Sequence, residues 1–254
     1  MKKALSILVT VLAFCSCSIL QSIDWDEQQL AAAASSALSA VSITDAQVAA
    51  LSRQTIAQLD AENQVENGPY TKRLNNLMKN VSVDGLPLNY KVYKTKEINA
   101  FACGDGSIRV YTGLMDVMDD DELIAILGHE IGHVVHKDTR NAMKSAYLTA
   151  AARGVISAAG SVGQIARTQL GDLGEMYISS QFSQKQEFAA DDYGFDFAVK
   201  NGHTPYSMYS ALNKLVQLSG NSSSASQVQK MFSSHPDSAT RAVKMKAKAD
   251  SYQK

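Results

Sequence analysis

The sequence predicts a mainly helical α+β fold, and three successive patterns along the chain lead to that prediction. Apolar residues recur at three- and four-residue intervals from about residue 24 to residue 80, which is typical of amphipathic helices. After residue 86, apolar and polar residues alternate around Tyr90 and Ile108, which indicates short strands. Helical spacing returns after residue 119. We therefore predict a signal segment over residues 1–17, a helical segment over 18–80 and one main domain over 81–254.

The composition excludes several classes of protein. Of the 254 residues, 45% are hydrophobic and 19% are charged, as in folded globular domains and unlike disordered or fibrous chains. The formal net charge of -1 gives no basic field that would attract nucleic acid, so no nucleic-acid partner is predicted. The nearest basic run is interpreted as the solvated face of a helix, and it consists of Arg241, Lys244, Lys246 and Lys248.

The first residues resemble a bacterial lipoprotein signal. Two lysines precede an apolar run over residues 4–14, which is shorter than the roughly 20 residues of a membrane-spanning helix. We predict that Cys17 carries a lipid, because the small Ser16 precedes it, and that this lipid anchors the chain to the outer membrane of a bacterial envelope, on the periplasmic side. Lipidation of Cys15 and a plain secretory signal are the alternatives. With Cys17 lipidated and Cys15 removed with the signal segment, Cys103 is the only thiol left and no disulfide can form.

Helix and turn signals divide the rest of the chain. Asp119 and Glu122 have the spacing of a capping box, at the start of a helix with a wide apolar face. Residues 146–166, rich in Ala, Gly and Ser, predict a helix that covers or borders the functional site. A single helix is predicted over residues 174–200, ending at Asn201-Gly202. The last helix is expected to begin after a polar linker and His235-Pro236.

The segment His129-Glu130-Ile131-Gly132-His133 predicts a metal site. It places two imidazoles one helical turn apart on the same face, where both rings can bind one ion at about 2 Å. Glu130 lies about 100° round the helix from His129, so it can reach a reacting water without binding the metal. Two ordinary surface histidines are the alternative explanation of this spacing.

A catalytic zinc site needs a third protein ligand, and two residues are candidates. His136 would lie about 5 Å beyond the metal on a straight helix, so we interpret it as a partly exposed helix residue. Glu187 is the better candidate. It shares one helix face with Asp191, and two carboxylates on an otherwise apolar face are costly to bury without a cation. Asp191 can then accept the ring N–H of a metal-binding histidine.

These residues resemble the family of zinc metallopeptidases that includes HtpX, LoiP, BepA and the CAAX prenyl proteases. The resemblance covers roughly residues 74–248 and is strongest to the small lipoprotein members, because the membrane spans of HtpX have no counterpart here. It is carried by Asn99-Ala100-Phe101-Ala102, Tyr111-Thr112-Gly113-Leu114, the motifs at residues 129–133 and 187–191, and Ser234-His235-Pro236 with Arg241.

The resemblance implies a zincin fold of the gluzincin type, with one zinc ion per chain held by His129, His133 and Glu187. It also implies a small sheet whose edge strand pairs with an extended substrate peptide at Asn99 and Ala100. His235 and Arg241 are expected beside the metal, either to stabilise the oxyanion or, for His235, to fill the open metal position at rest. From the residues alone, His235 could equally be an ordinary helix-start residue.

The sequence departs from the family pattern at two positions. Cys103 stands before the turn Gly104-Asp105-Gly106, where the family often has Pro-Gly-Gly, and it is expected to be either a thiol near the cleft or an inert, half-buried residue. Asp138 stands where many relatives have a histidine. Neither change replaces a predicted ligand.

The resulting hypothesis is a zinc metalloendopeptidase that hydrolyses unfolded or misassembled envelope proteins, possible clients being outer-membrane assembly proteins. Glu130 takes a proton from the attacking water and later passes it to the leaving amine. Two other classes stay open. One is a chaperone-like assembly factor with latent protease activity, and the other is an inactive envelope scaffold that binds through the helices before residue 80.

Overall fold

A computed structural model describes residues 44–83, 85–152 and 167–252 of the chain. The predicted signal segment and the lipidation site at Cys17 lie outside the described residues. The same is true of the helical pattern before Thr44, and of most of the helix predicted over residues 146–166. These assignments stay predictions.

Helices dominate the described residues, and a four-stranded mixed sheet accompanies them. The helices are α1 (Asp45–Glu62), α2 (Pro69–Met78), α3 (Thr112–Val117), α4 (Asp120–Val135), α5 (Asp138–Ala152), α6 (Arg167–Ile178), α7 (Gln184–Lys200), α8 (Ser207–Ser219), α9 (Ala225–Ser234) and α10 (Ser238–Ser251). The strands are β1 (Val65–Glu66), β2 (Asn89–Tyr93), β3 (Ala100–Ala102) and β4 (Ser107–Tyr111). The mainly helical α+β fold class is confirmed. Within the described ranges, no helix combines the length and apolar character that crossing a membrane requires.

The sheet has the strand order β1-β2-β4-β3, so β3 forms one of its edges. Strands β2 and β4 are parallel, whereas β1 and β3 pair antiparallel with their neighbours. In the β3–β4 pair, Asn99 accepts a hydrogen bond from the Tyr111 N–H, and the Cys103 N–H donates to Ser107. Since hydrogen-bonded and non-hydrogen-bonded pairs alternate, the backbone groups of Ala100 and Ala102 point away from β4 towards the open edge.

The sheet separates two apolar layers, because successive side chains of a strand point to opposite faces. One face carries Val92, Ile108 and Val110 into the main core, which α4, α7, α8 and α10 complete. The other face carries Tyr93, Phe101 and Tyr111 against α1, α5 and α6. Helix α1 therefore packs on the same sheet as the rest of the chain. The domain boundary predicted at residue 80 stays a prediction.

Three details of the sequence prediction were wrong. The helix expected over residues 174–200 is two helices, α6 and α7, because Ser183 caps the second one with a capping box to Gln186. The short strand β1 lies in a segment that was predicted to be helical, just before the break expected at Gly68-Pro69. Arg241 is 2% exposed rather than solvated, although Lys244, Lys246 and Lys248 of the same run are at the surface and pair with aspartates.

A charge cluster around the buried Arg109 fixes α1 to the sheet. Asp60 of α1 accepts hydrogen bonds from the Arg109 Nε at 2.7 Å, the Tyr93 hydroxyl at 2.7 Å and the Lys91 Nζ at 2.7 Å. The Arg109 side chain is only 1% exposed, so its charge depends on this carboxylate. Burial opposes ionisation of Asp60, but the hydrogen bonds from Arg109, Lys91 and Tyr93 outweigh it and lower the pKa of this carboxyl.

We expect Asp60→Asn to lower the free energy of unfolding by about 3 kcal/mol at neutral pH, because it leaves the Arg109 charge buried without a counter-charge. Since the folded-state pKa of Asp60 is lowered, the difference from wild type is full above about pH 4, the ordinary range of an aspartate, and disappears as the pH falls through the folded-state pKa. Urea denaturation at several pH values measures it. The matched control on the same helix is Asp45→Asn, which breaks an exposed pair with Arg140 and should cost less than about 1 kcal/mol.

Candidate metal centre

Helix α4 brings the two predicted histidine ligands together. Its start is fixed by a capping box between Asp119 and Glu122, as the sequence predicted. One turn apart on its buried face, His129 is 2% exposed and His133 is fully buried. Their Nε2 atoms are 3.1 Å apart, so both rings converge on one point.

Helix α7 supplies the predicted carboxylate ligand because it approaches α4 unusually closely. A Cβ atom at Gly194 would lie 2.7 Å from the backbone oxygen of Ala125 and 2.9 Å from the backbone nitrogen of His129. Only glycine permits this approach. Glu187 is fully buried, and its carboxylate oxygens lie 3.4 Å from His133 Nε2 and 3.7 Å from His129 Nε2.

His235 joins these three residues from the connection between α9 and α10. Its Nδ1 lies 3.0 Å from Glu187 Oε1 and 3.2 Å from His129 Nε2, and its ring is 6% exposed. Among the described residues, one potential ligand atom from each of His129, His133, Glu187 and His235 lies within 4.8 Å of all the others.

The geometry of this cluster fits a divalent cation. Ligands bound at about 2 Å to a tetrahedral ion lie about 3.3 Å from one another, and the separations among His129 Nε2, His133 Nε2 and the Glu187 carboxylate oxygens run from 3.1 to 3.7 Å. The hydrogen bonds lead to the same conclusion. His129 Nδ1 lies 2.9 Å from Asp191, and His133 Nδ1 lies 3.1 Å from Asp138. Both carboxylates accept, so each Nδ1 carries a proton and each Nε2 is the ring atom left to bind an ion in this buried site.

Asp191 and Arg241 form the support behind the ligands. Arg241 Nε and Nη2 donate to the two oxygens of Asp191 at 2.8 and 2.6 Å, and Nη1 lies 2.5 Å from Glu187 Oε2. Burial opposes ionisation of Asp191, but Arg241 and His129 outweigh it and lower the pKa of this carboxyl to about 2. Arg241 thus neutralises a carboxylate pair while Asp191 orients His129.

Asp138 plays the same supporting part for His133. Its second oxygen accepts a hydrogen bond from Gln186 Nε2 at 2.7 Å, which holds the carboxylate in place. Burial disfavours a charged His133, but Asp138 and Glu187 outweigh this and raise the pKa of the imidazole to about 9. The surroundings of His133 therefore favour positive charge at this point, whether a proton or a metal ion provides it.

Glu130 points into the cleft beside the ligand cluster. It is 2% exposed, and its Oε1 atom is buried without a hydrogen-bond partner, 3.6 Å from His235 Nε2. Asn99 and Ala100 line the same cleft, as the edge-strand prediction expected. Phe182 closes it on one side, where its ring stacks on His133 at 4.0 Å between centroids and 15° between planes.

All the predicted metal, base and supporting residues thus lie in one place, and the residues set aside do not join them. His136 caps the end of α4 and is exposed, so it is absent from the cluster. Cys103 is fully buried rather than half-buried, and burial raises the pKa of its thiol. Arg241 is bound on both sides by carboxylates, and its predicted part in stabilising an oxyanion stays a prediction.

The sequence reasoning missed three residues of the site. Asp138 was noted as a departure from a family pattern, although a carboxylate five residues after His133 could have been considered as its orienting partner. Phe182 and Tyr177, which line the cleft with Glu130, were assigned to the interior of a helix. The signal that could have revealed them is Ser183-Gln184-Lys185-Gln186, whose capping-box spacing predicts a helix start.

Comparison with known proteins agrees with this geometry. The family described as peptidase family M48 matches residues 65–249. The chain is 41% identical over 222 residues to the metalloprotease LoiP of Escherichia coli K12, covering 85% of this chain and 86% of that protein. It is 40% identical over 211 residues to the metalloprotease YcaL of the same strain, covering 81% of each. The protease HtpX of Xanthomonas euvesicatoria is 30% identical over 204 residues, covering 66% of this chain and 68% of HtpX. From the family match, these relatives and the convergent buried ligands, we conclude that the chain belongs to peptidase family M48 and is a metallopeptidase.

Proposed function

We propose that the protein is a zinc-dependent endopeptidase of the bacterial cell envelope that cleaves unfolded or misassembled proteins. The observation that supports this most directly is the position of Glu130. Its unpartnered, buried carboxylate oxygen lies beside a cluster of His129, His133 and Glu187. A buried acceptor without a partner is costly in a structural role, whereas a general base needs one free to take a proton.

The chemistry of the donor set favours zinc. Two imidazole nitrogens and one carboxylate oxygen are the protein ligands of the catalytic zinc in several metallopeptidases, with a further position left for water or substrate. Ions that prefer oxygen, such as magnesium and calcium, would be served poorly by two nitrogen donors. We propose one zinc ion per chain, held by His129, His133 and Glu187.

In this mechanism the residues of the chain each have one task. When bound, zinc supplies Lewis acidity, which polarises the scissile carbonyl and favours deprotonation of the attacking water. Glu130 Oε1 takes the proton from this water and later gives it to the leaving amine nitrogen. Asp191 and Asp138 keep His129 and His133 in the tautomer with the proton on Nδ1, so that Nε2 stays free.

The edge strand β3, which has no strand on its outer side among the described residues, supports the assignment to extended, unfolded substrates. The outward backbone groups of Ala100 and Ala102 can pair with a peptide that adds as a further strand. Since a folded protein rarely offers an unpaired extended segment, such a cleft selects unfolded or misassembled chains. Outer-membrane proteins that fail to assemble are the clients we propose.

The pattern at the N-terminus supports a lipid anchor at Cys17 and attachment to the outer membrane on its periplasmic side. Labelling cells with a radioactive fatty acid tests this. Wild type should incorporate the label, Cys17→Ala should not, and Cys15→Ala should behave as wild type. Label retained in Cys17→Ala and lost in Cys15→Ala would assign the lipid to Cys15.

A chaperone-like assembly factor with latent protease activity is the second candidate, and the position of His235 favours it. Its Nδ1 lies 3.0 Å from Glu187 Oε1 and 3.2 Å from His129 Nε2, so this ring stands against two of the proposed ligands and would fill a position that water or substrate needs. In such a protein hydrolysis would be slow until His235 moves away.

Metal removal tests the proposed function. We expect purified protein to contain close to one zinc per chain, to cleave casein, and to lose this activity in a chelator and regain it with added zinc. Glu187→Ala should lose both zinc and activity, because only two of the three proposed ligands would be left. Glu62→Ala, at the exposed end of α1, is the matched control and should keep both. Full zinc content in Glu187→Ala, measured by elemental analysis, would contradict its assignment as a ligand.

A further inference from the structure

The edge strand β3 offers a substrate fewer free backbone groups than its length suggests. The groups that point away from β4 are the N–H and C=O of Ala100 and of Ala102. The Ala100 N–H already donates to the side-chain oxygen of Asn99 at 3.0 Å. The C=O of Ala102 is occupied too, because the hydroxyl of Tyr177 donates a hydrogen bond to it.

Tyr177 reaches this carbonyl from the last turn of α6. Its ring is 5% exposed and packs in the apolar layer with Phe101 and Cys103. It also lines the cleft that holds Glu130 and His235. A single side chain therefore touches both the outward edge of β3 and the space next to the proposed general base.

An O–H that donates to an outward strand carbonyl occupies the place of a neighbouring strand's N–H. In an antiparallel or parallel pair, the backbone N–H of the added strand makes this bond. We propose that Tyr177 controls access of the substrate to the edge strand, its hydroxyl holding the acceptor of Ala102 that a substrate backbone N–H must take. This inference rests on the proposed endopeptidase function and concerns how that site receives its substrate.

The segment that follows Tyr177 also lies in the cleft beside β3. Helix α6 ends at Ile178, and the chain returns to the cleft at Phe182, whose N–H donates to the Ser234 C=O at 3.1 Å and whose ring stacks on His133. The connection between α6 and α7 thus lines the same cleft as β3. Substrate pairing and the Tyr177 hydrogen bond exclude each other. In the closed form, Tyr177 holds the Ala102 carbonyl and the substrate cannot pair. The apparent Kd of the substrate therefore equals its intrinsic Kd divided by the fraction of molecules in the open form.

Exchange of the Tyr177 O–H for a substrate N–H makes the site selective for substrate residues that have a backbone N–H. A substrate residue that pairs with Ala102 must bring an N–H, because it replaces the donor that leaves with Tyr177. Proline has no N–H and leaves the carbonyl without a partner. The site should therefore discriminate against proline at the one substrate position that faces Ala102.

The test is Tyr177→Phe, which removes the hydroxyl and keeps the ring. We expect KM for a casein-derived peptide to fall by about threefold to tenfold, because the closed form loses the net stabilisation of one hydrogen bond. The kcat should stay within about twofold of wild type. The matched control is Tyr147→Phe on α5, a tyrosine buried to 4% exposure in the same apolar layer, which should leave both constants unchanged.

A binding measurement separates this inference from the proposed function. In a Glu130→Gln background, fluorescence anisotropy of the labelled peptide should show the same fall in Kd on adding Tyr177→Phe. An unchanged or higher KM and Kd in an active, folded Tyr177→Phe protein would overturn the inference and leave the endopeptidase intact. Absence of metal-dependent cleavage in wild type would instead overturn the proposed function. Should the Phe variant fail to fold by circular dichroism, Tyr177→Met, which also lacks a donor, must show the same fall.

Discussion

Glu130→Gln is expected to abolish peptide-bond hydrolysis while the protein keeps its fold and its metal. The amide has nearly the size of the carboxylate but cannot take up a proton at neutral pH. A positioned general base typically contributes a factor of 10² to 10⁴, so we expect kcat to fall by a factor of about 10³. Because Glu130 is not within the ligand cluster, zinc content should equal that of wild type.

The measurement is casein cleavage together with elemental analysis and thermal unfolding of the same preparations. Glu62→Gln, on the surface of α1, is the control for a generic loss of carboxylate and should keep full activity. Turnover by Glu130→Gln at the wild-type rate would contradict its role as base.

The same variant also separates the two candidate functions, because a chaperone should still prevent aggregation of an unfolded client when hydrolysis is lost.

Arg241→Met is expected to lower the free energy of unfolding of the metal-free protein by about 3 kcal/mol or more and to reduce activity as well. The guanidinium donates to both oxygens of Asp191 and lies 2.5 Å from Glu187, and all three side chains are 2% exposed or less. Removing the cation leaves two buried carboxylates without their counter-charge, which is among the costliest substitutions in a protein interior. The freed Asp191 also orients His129 less well, so zinc affinity should fall.

Urea denaturation of the metal-free proteins measures the stability change, and titration with a chromogenic chelator measures the zinc affinity. Arg53→Met, at an exposed position of α1, is the control and should change stability by less than about 0.5 kcal/mol. The comparison also tests the predicted oxyanion role. If Arg241 acts only on the transition state, kcat falls while unfolding and zinc affinity stay at wild-type values.

The sequence was sufficient for those parts of the fold that local spacing determines. The capping box of Asp119 and Glu122, the strands β2 and β4 and the stop at Asn201-Gly202 were all predicted from neighbouring residues, and each is present in the structure. Strand β1 could not be predicted this way. Its two residues are a strand only because β2 lies beside them.

The candidate site likewise contains residues that local spacing predicts and residues that it does not. His129, Glu130 and His133 belong to one helical turn, so their convergence follows from periodicity. The contact of Tyr177 with Ala102 joins residues 75 positions apart, and no spacing rule reaches that far. Asp138 was missed for another reason. It follows the end of α4, where helical geometry no longer says which way a side chain points.

The support behind the metal ligands also bears on when, during biosynthesis, the protein can become active. Arg241 comes 50 residues after Asp191 and 112 residues after His129. Without that arginine, Glu187 and Asp191 lack the guanidinium that lies against both carboxylates, and docking of α7 against α4 is less favourable. An incomplete chain that ends before α10 would therefore carry Glu130 but lack this support, and we expect such a chain to be inactive.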